Sequence, residues 1–128
     1  MLEPGLEATA TETVTDDMTA TRLGSGDVPV LGTPAVLALA ERAALEAVAG
    51  HLEDGVTTVG TRVELDHLAP TPVGGRVAAT ARLESVEGRT LRFTVAVVDA
   101  YGTVARATHE RATVDRRDFL DTAANRPG

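Results

Sequence analysis

The stretch Thr33-Pro34-Ala35-Val36-Leu37-Ala38-Leu39-Ala40-Glu41-Arg42-Ala43-Ala44-Leu45-Glu46-Ala47-Val48-Ala49-Gly50 decides the fold of this chain. Thr is a favoured N-cap and Pro is favoured at the first helical position; no breaker follows until Gly50, so the spacing predicts a helix over residues 34–49. Its residues are Ala, Val and Leu nearly all round, the mark of a helix buried on most of its surface, as when a sheet wraps around it. Three charges interrupt the pattern. Arg42 and Glu46 stand four apart and can pair along one wet edge. Glu41 instead shares a stripe with Leu37, Leu45 and Val48, so its carboxylate is expected to point where the core should be.

After the loop at 51–55, the rest of the chain reads as strands over 56–69, 76–87, 90–100 and 103–114. The turn signals between them, Pro70-Thr71-Pro72-Val73-Gly74-Gly75, Glu87-Gly88-Arg89 and Tyr101-Gly102, are short enough for antiparallel neighbours. Val77, Ala79, Ala81 and Leu83 alternate onto one face, as do Leu91, Phe93, Val95 and Val97. In 56–69 the alternation puts Val59, Thr61, Val63, Leu65, His67 and Ala69 on one face and Gly60, Arg62, Glu64 and Asp66 on the other. Ahead of the helix, the Thr-rich residues 8–20 read as a first strand, and Leu23-Gly24-Ser25-Gly26-Asp27 leads into 28–32 as a lid or a linker. Strand, long buried helix, four antiparallel strands: this order predicts an α+β domain with one sheet wrapped around one helix. A single domain over 1–128 is expected, with its core at about 5–120 and a tail frayed from Asp121 onward.

Composition narrows the function classes. The apolar content is 43%, with Phe93, Phe119 and Tyr101 as the aromatics, so stacking platforms for bases are absent. A formal charge of −7 with no Lys/Arg cluster makes nucleic acid and anionic membrane poor partners. The absence of Cys removes thiolate nucleophiles, Cys-ligated zinc and disulfides together. The first residues, Met1-Leu2-Glu3-Pro4-Gly5, have neither a basic nor an apolar leader pattern, which makes a cytoplasmic protein the expectation.

Two residues break the apolar pattern where chemistry needs them. His67 falls on the apolar face of its strand near the end; such a histidine is more often a hydrogen-bonded core residue than a catalyst. Glu41 is the sharper anomaly, because a carboxylate among Ala and Leu demands a partner. Read together, Glu41 and His67 form a general-base pair in an apolar pocket. Thr33 is explained as an N-cap, yet the helix N-terminus, with its outward N–H groups and dipole, also suits a substrate carbonyl.

The set Thr33, Glu41, Gly60 and His67, within Leu31-Gly32-Thr33-Pro34, Ala40-Glu41, Val59-Gly60-Thr61 and Asp66-His67-Leu68-Ala69-Pro70-Thr71, resembles the fluoroacetyl-CoA thioesterase family of hotdog proteins. The likeness continues through 83–89 and Thr108-His109-Glu110-Arg111-Ala112 and covers roughly 5–120. It implies a hotdog fold, a homodimer with acyl sites at its interface, and cleavage of an acyl-CoA with coenzyme A as part of the substrate and no cofactor. It further implies that Glu41 attacks the thioester or activates water, with His67 as acid/base partner and Thr33 supporting both. The resemblance places Gly60 beside the acyl group, where a side chain would fill the pocket. Arg62, Arg106 and Arg111 are candidates to meet the CoA phosphates, although a scattered Arg is usually a solvated charge. The fluoroacetyl-selective members carry a Phe-bearing lid just before the helix; residues 23–31 hold no aromatic, so the expectation is a more general small or medium acyl group.

Two other classes compete. A hotdog hydratase would carry its Asp and His in one helix-and-loop motif, and none flanks this helix. A non-catalytic module that binds an acyl thioester or another small ligand is the serious alternative, but a binder needs no buried base.

Overall fold

The computed structural model describes residues 1–127. In chain order these form β1 (Glu7–Thr13), α1 (Ala20–Leu23), α2 (Thr33–Val48), β2 (Val56–His67), β3 (Arg76–Glu87), β4 (Thr90–Asp99), β5 (Gly102–Asp115) and α3 (Arg116–Ala124). The strands make one antiparallel sheet in the order β1-β3-β4-β5-β2, and α2 packs on its inner face, which is the hotdog arrangement expected. Among the described residues, no helix is long and apolar enough to cross a membrane.

The face that α2 buries carries Val36, Leu39, Ala40, Ala43, Ala44 and Ala47, in one cluster with Val77, Ala79, Ala81, Leu83, Leu91, Phe93, Val95 and Val97. Alanine on the helix side lets the axis lie close to the sheet, so the larger sheet residues supply the volume. Enlarging Ala43, which is fully buried, would overpack this contact at a cost of about 1–3 kcal/mol.

The Glu41 stripe does not point into this core. Leu37 and Glu41 are half-buried, Leu45 is 42% exposed, and only Val48 is fully enclosed. The reason is an off-centre seat: α2 packs mainly on β1 and β3, so its far flank and the inner face of β2, with Val63, Leu65 and His67, stay half open. On the opposite flank Arg42 pairs with Glu46 at 3.3 Å, as expected, and with Glu12 of β1 at 2.8 Å.

The N-cap of α2 is Gly32, and Thr33 is the first helical residue. The Gly32 carbonyl accepts from the N–H groups of Ala35 and Val36, while its own N–H donates to Met18 O. A Cβ at Gly32 would sit 3.0 Å from the Ala20 backbone, so the close approach of the first segment selects glycine as cap. The Thr33 hydroxyl is thereby released for another partner.

The first strand ends at Thr13, earlier than the Thr-rich pattern suggested. Thr19 explains the change: its buried hydroxyl bonds Asp16 O at 2.7 Å and accepts from Arg22 N–H, turning the chain into a short 3-10 turn and then α1. The segment that follows is stitched at both sides, by bridges Thr19↔Leu31 and Val30↔Pro72 and by Leu31 N–H on Thr71 O at 2.9 Å. Leu23 and Val28 of this segment are exposed.

One irregularity sets the aim of β2. Gly60 pairs with Arg111 and Arg62 with Glu110, so Thr61 is an extra residue, a β-bulge. Strict alternation would put Gly60 opposite in facing to Val63, Leu65 and His67. With the bulge, Gly60 faces inward with Arg111, and Val63, Leu65 and His67 face inward with His109, Ala107 and Ala105. The sequence-based assignment of Gly60 to the outer face is corrected by that one residue. At the far end, where fraying was expected from Asp121, the chain continues as α3 to Ala124, capped by the Asp115 carboxylate on Asp118 N–H and exposed throughout.

Candidate active site

Two groups of polar side chains face the open inner surface, one at each end of the Thr33–Glu41 half of α2. At the helix N-terminus Thr33 Oγ1 and His67 Nδ1 are 2.9 Å apart and hydrogen-bonded. His67 Nε2 is buried and has no partner among the described residues. A buried ring nitrogen left without a partner is costly unless something comes to meet it. Helix geometry leaves a donor next to this pair. First-turn N–H groups have no intrahelical acceptor, Pro34 has no N–H, and those of Ala35 and Val36 close on Gly32, which leaves the Thr33 N–H.

At the second group, Glu41 meets Arg111 and not His67. Arg111 Nη1 donates to Glu41 Oε2 at 3.3 Å. The rest of the guanidinium is anchored in the sheet: Nε donates to Thr58 Oγ1 at 2.9 Å, Nη2 to Thr58 O at 3.1 Å, and Nη1 also to His109 Nε2 at 3.2 Å. Arg111 and His109 are 6% and 2% exposed. Burial pushes the Arg111 guanidinium below its ordinary value, and Glu41 opposes that shift as counter-ion.

Because Arg has donors and no acceptor, His109 Nε2 must be the accepting nitrogen and Nδ1 the one that carries hydrogen. Nδ1–H then donates to Arg62 O at 2.8 Å, at the bulge. Glu41 Oε2 stands 3.9 Å from His109 Nε2, within electrostatic reach but beyond a hydrogen bond. A Cβ on Gly60 would lie 2.5 Å from Glu41 Oε2, 3.3 Å from His109 Cε1 and 3.4 Å from Arg111 Nη1, so glycine alone leaves the front of the carboxylate clear. The resulting hollow, about 290 Å³, is lined by Glu41, Gly60, Thr61, Arg62, Val63 and His109. A larger hollow of about 570 Å³ lies beside Glu64, Arg82 and Arg106; none of the polar groups just described lines it.

The sequence reading joined Glu41 to His67 because both broke an apolar pattern. In the chain they are separate centres, His67 with Thr33 and Glu41 with Arg111. Of the three arginines considered for CoA phosphates, Arg111 is buried beneath the carboxylate, while Arg62 is exposed beside Glu64 at 2.8 Å and Arg106 is exposed. Thr58 and His109 were not singled out individually. The signal for His109 was present: on β5 it falls in phase with Ala105 and Ala107, so two polar residues, His109 and Arg111, continue an inward apolar row.

The geometry can be set beside known proteins. A family model for the fluoroacetyl-CoA-specific thioesterase FlK matches residues 14–117. The fluoroacetyl-CoA thioesterase of Streptantibioticus cattleyicolor is 39% identical over 90 residues, a span of 70% of this chain and 65% of that protein. A solved structure of FlK superposes with a TM-score of 0.93 at 30% identity, covering 100% of this chain and 99% of its own. A point mutant of FlK in complex with fluoroacetate and CoA gives a TM-score of 0.86 at 32% identity, covering 92% and 99%.

Proposed function

Because the chain belongs to the fluoroacetyl-CoA-specific thioesterase family, we propose that it hydrolyses a small or medium acyl-CoA to the free acid and CoA. The observation that carries the reading is a carboxylate, Glu41, held at the sheet edge by buried Arg111 in front of a gap that only Gly60 leaves. A base or nucleophile held this way has an open face and is oriented by groups that do not themselves react.

In this reading the thioester carbonyl oxygen lies on the Thr33 N–H at the positive end of α2, where charge grows as the carbon becomes tetrahedral. A water adds to that carbon and passes a proton to Glu41. The C–S bond then breaks and the departing CoA sulfur takes a proton from the Thr33–His67 pair; as the products leave, Glu41 releases its proton to water and the pair takes one up, which restores the site. Glu41 acting as nucleophile satisfies the same geometry; single-turnover hydrolysis in ¹⁸O-water separates the routes, since only nucleophilic attack puts label into the Glu41 side chain.

Thr33 and Glu41 are eight residues apart on one helix, about 12 Å along its axis, too far to serve one thioester within one chain. In this reading the functional unit is a homodimer in which the Thr33–His67 pair of one protomer completes the Glu41 centre of the other. The free edge of β2 and its half-open inner face support this. In this reading Arg62, which lines the hollow, is the arginine that meets CoA. With Leu23 and Val28 in the segment before α2 and no aromatic there, the acyl group is not restricted to fluoroacetyl.

The test is free-thiol release over acetyl, fluoroacetyl, branched, aromatic and longer acyl-CoA esters. Turnover of at least one is expected; folded protein that releases no thiol from any of them supports the non-catalytic binding module instead.

A further inference from the structure

We infer that His109 is a positioning residue that locks the β2 bulge to Arg111 and so fixes where the Glu41 carboxylate points. The inference rests on the hydrolase reading for its kinetic consequence and on geometry alone for its structural one.

The argument starts from the bulge. Inserting Thr61 interrupts the regular β2–β5 pairing between Gly60 and Arg62. Two carbonyls there take side-chain donors: Glu110 O accepts from the Thr61 hydroxyl at 3.1 Å, and Arg62 O accepts from His109 Nδ1–H at 2.8 Å. The second contact does more than satisfy a carbonyl. With Nδ1 committed as donor, the imidazole must present Nε2 as an acceptor, and the group that fills it is Arg111 Nη1 at 3.2 Å. That same Nη1 reaches Glu41 Oε2 at 3.3 Å. One ring therefore couples the strand that carries Gly60 to the cation that carries the carboxylate.

His109 is suited to this by burial and shape. It is 2% exposed, and its ring leans on Phe93 with centroids 6.3 Å apart, so it has little rotamer freedom. Arg111 Nε and Nη2 are held by Thr58, which fixes the guanidinium plane; His109 fixes where Nη1 sits within it. A carboxylate bound through one long contact is easily misaimed, and misplacement of a reacting group by about 1 Å can lower a rate about a hundredfold.

The experiment compares three variants of the full chain. Gln spaces an amide N–H and a carbonyl much as imidazole spaces its two nitrogens, so His109→Gln keeps both contacts. Asn reproduces the Nδ1–H position only, and Phe keeps the ring while removing both contacts. The expected result is kcat for His109→Gln within about threefold of the parent, and for His109→Asn and His109→Phe a fall of roughly tenfold to a hundredfold with KM little changed. If His109→Phe does not fold, His109→Asn decides in its place.

A double-mutant cycle adds a readout that a merely structural role would not move. In an Arg111→Lys background, His109→Asn should lower kcat no further, because its effect runs through the guanidinium. Independently of turnover, the ¹⁵N shifts of the His109 ring should report Nδ1 protonated and Nε2 bare. An Nε2–H tautomer, full kcat in the Asn variant, or losses that simply multiply in the cycle would each overturn the inference. A parent protein inactive on every thioester would instead remove the hydrolase reading and leave the ring-nitrogen measurement to decide the lock.

Discussion

Gly60 and Glu41 face each other so closely that a methyl group on the glycine would come within 2.5 Å of the carboxylate oxygen. The glycine is there for clearance. Its φ is not in the left-handed region, so an alanine would be tolerated by the backbone and refused by the site.

Gly60→Ala is therefore expected to fold and to lose turnover by about tenfold to a hundredfold, because Glu41 must swing away from Arg111 to make room. Steady-state kinetics with a thermal melt checks it. Parent-like kcat would show that the front of the carboxylate is not used.

Glu41→Gln removes the charge and keeps the shape. Turnover should fall by about two to four powers of ten, the usual worth of a general base or more. Were the carboxylate ringed by leucines, as its stripe suggested, the neutral amide would stabilise the fold. The Arg111 contact reverses that sign: a charge-assisted bond becomes a weaker one, worth about 1 kcal/mol and a few degrees in Tm. A raised Tm would contradict the pairing seen here.

Arg111→Lys tests the fork. A lysine cannot serve Thr58 Oγ1, Thr58 O, His109 and Glu41 together, so the variant should lose roughly 2 kcal/mol or more of stability and, like the His109 variants that act through it, about tenfold to a hundredfold in kcat. Chemical denaturation and kinetics on the same sample decide it; retention of both quantities would make Arg111 a bystander.

Leu45→Arg tests the assembly. Leu45 lies 42% exposed on the Glu41 flank of α2, so within one chain the substitution meets solvent and should not disturb folding. Light scattering should give twice the 13.3 kDa chain mass for the parent and a single-chain mass for the variant, with turnover lost alongside the dimer. An active monomer would refute a site shared between protomers.

These expectations show what the residues alone could and could not tell. The helix from Thr33, the four later strands and the inward rows of β3 and β4 were legible because each follows a period of 3.6 or 2 that burial enforces, whereas the row read for β2 holds only from Val63 onward. Glu41 and His67 stood out because polar groups in apolar rows need a reason, and Thr33 because of its place at the helix N-terminus. Their pairing was not legible. It depends on α2 sitting over β1 and β3, and on a single extra residue in β2, and neither leaves a periodic trace. Local bonding by Thr19, which ended the first strand early, was hidden for the same reason: a side chain that competes with the sheet looks, in sequence, like one more β-prone threonine.

The bulge also separates two properties that usually travel together, which residues a site contains and how they are aimed. Deleting Thr61 would leave Gly60 opposite Arg111, Arg62 opposite Glu110 and Val63 opposite His109, with every inward residue still inward. The strand would become a regular ladder, and its backbone would again offer the Arg62 carbonyl to β5 in place of the imidazole. Such a protein would keep Thr33, Glu41, Gly60, His67, His109 and Arg111, yet the carboxylate would have lost its bearing. A one-residue deletion that preserves the inward side chains, their facing and their pairing while silencing the reaction would locate the catalytic information of this chain in the curvature of a strand.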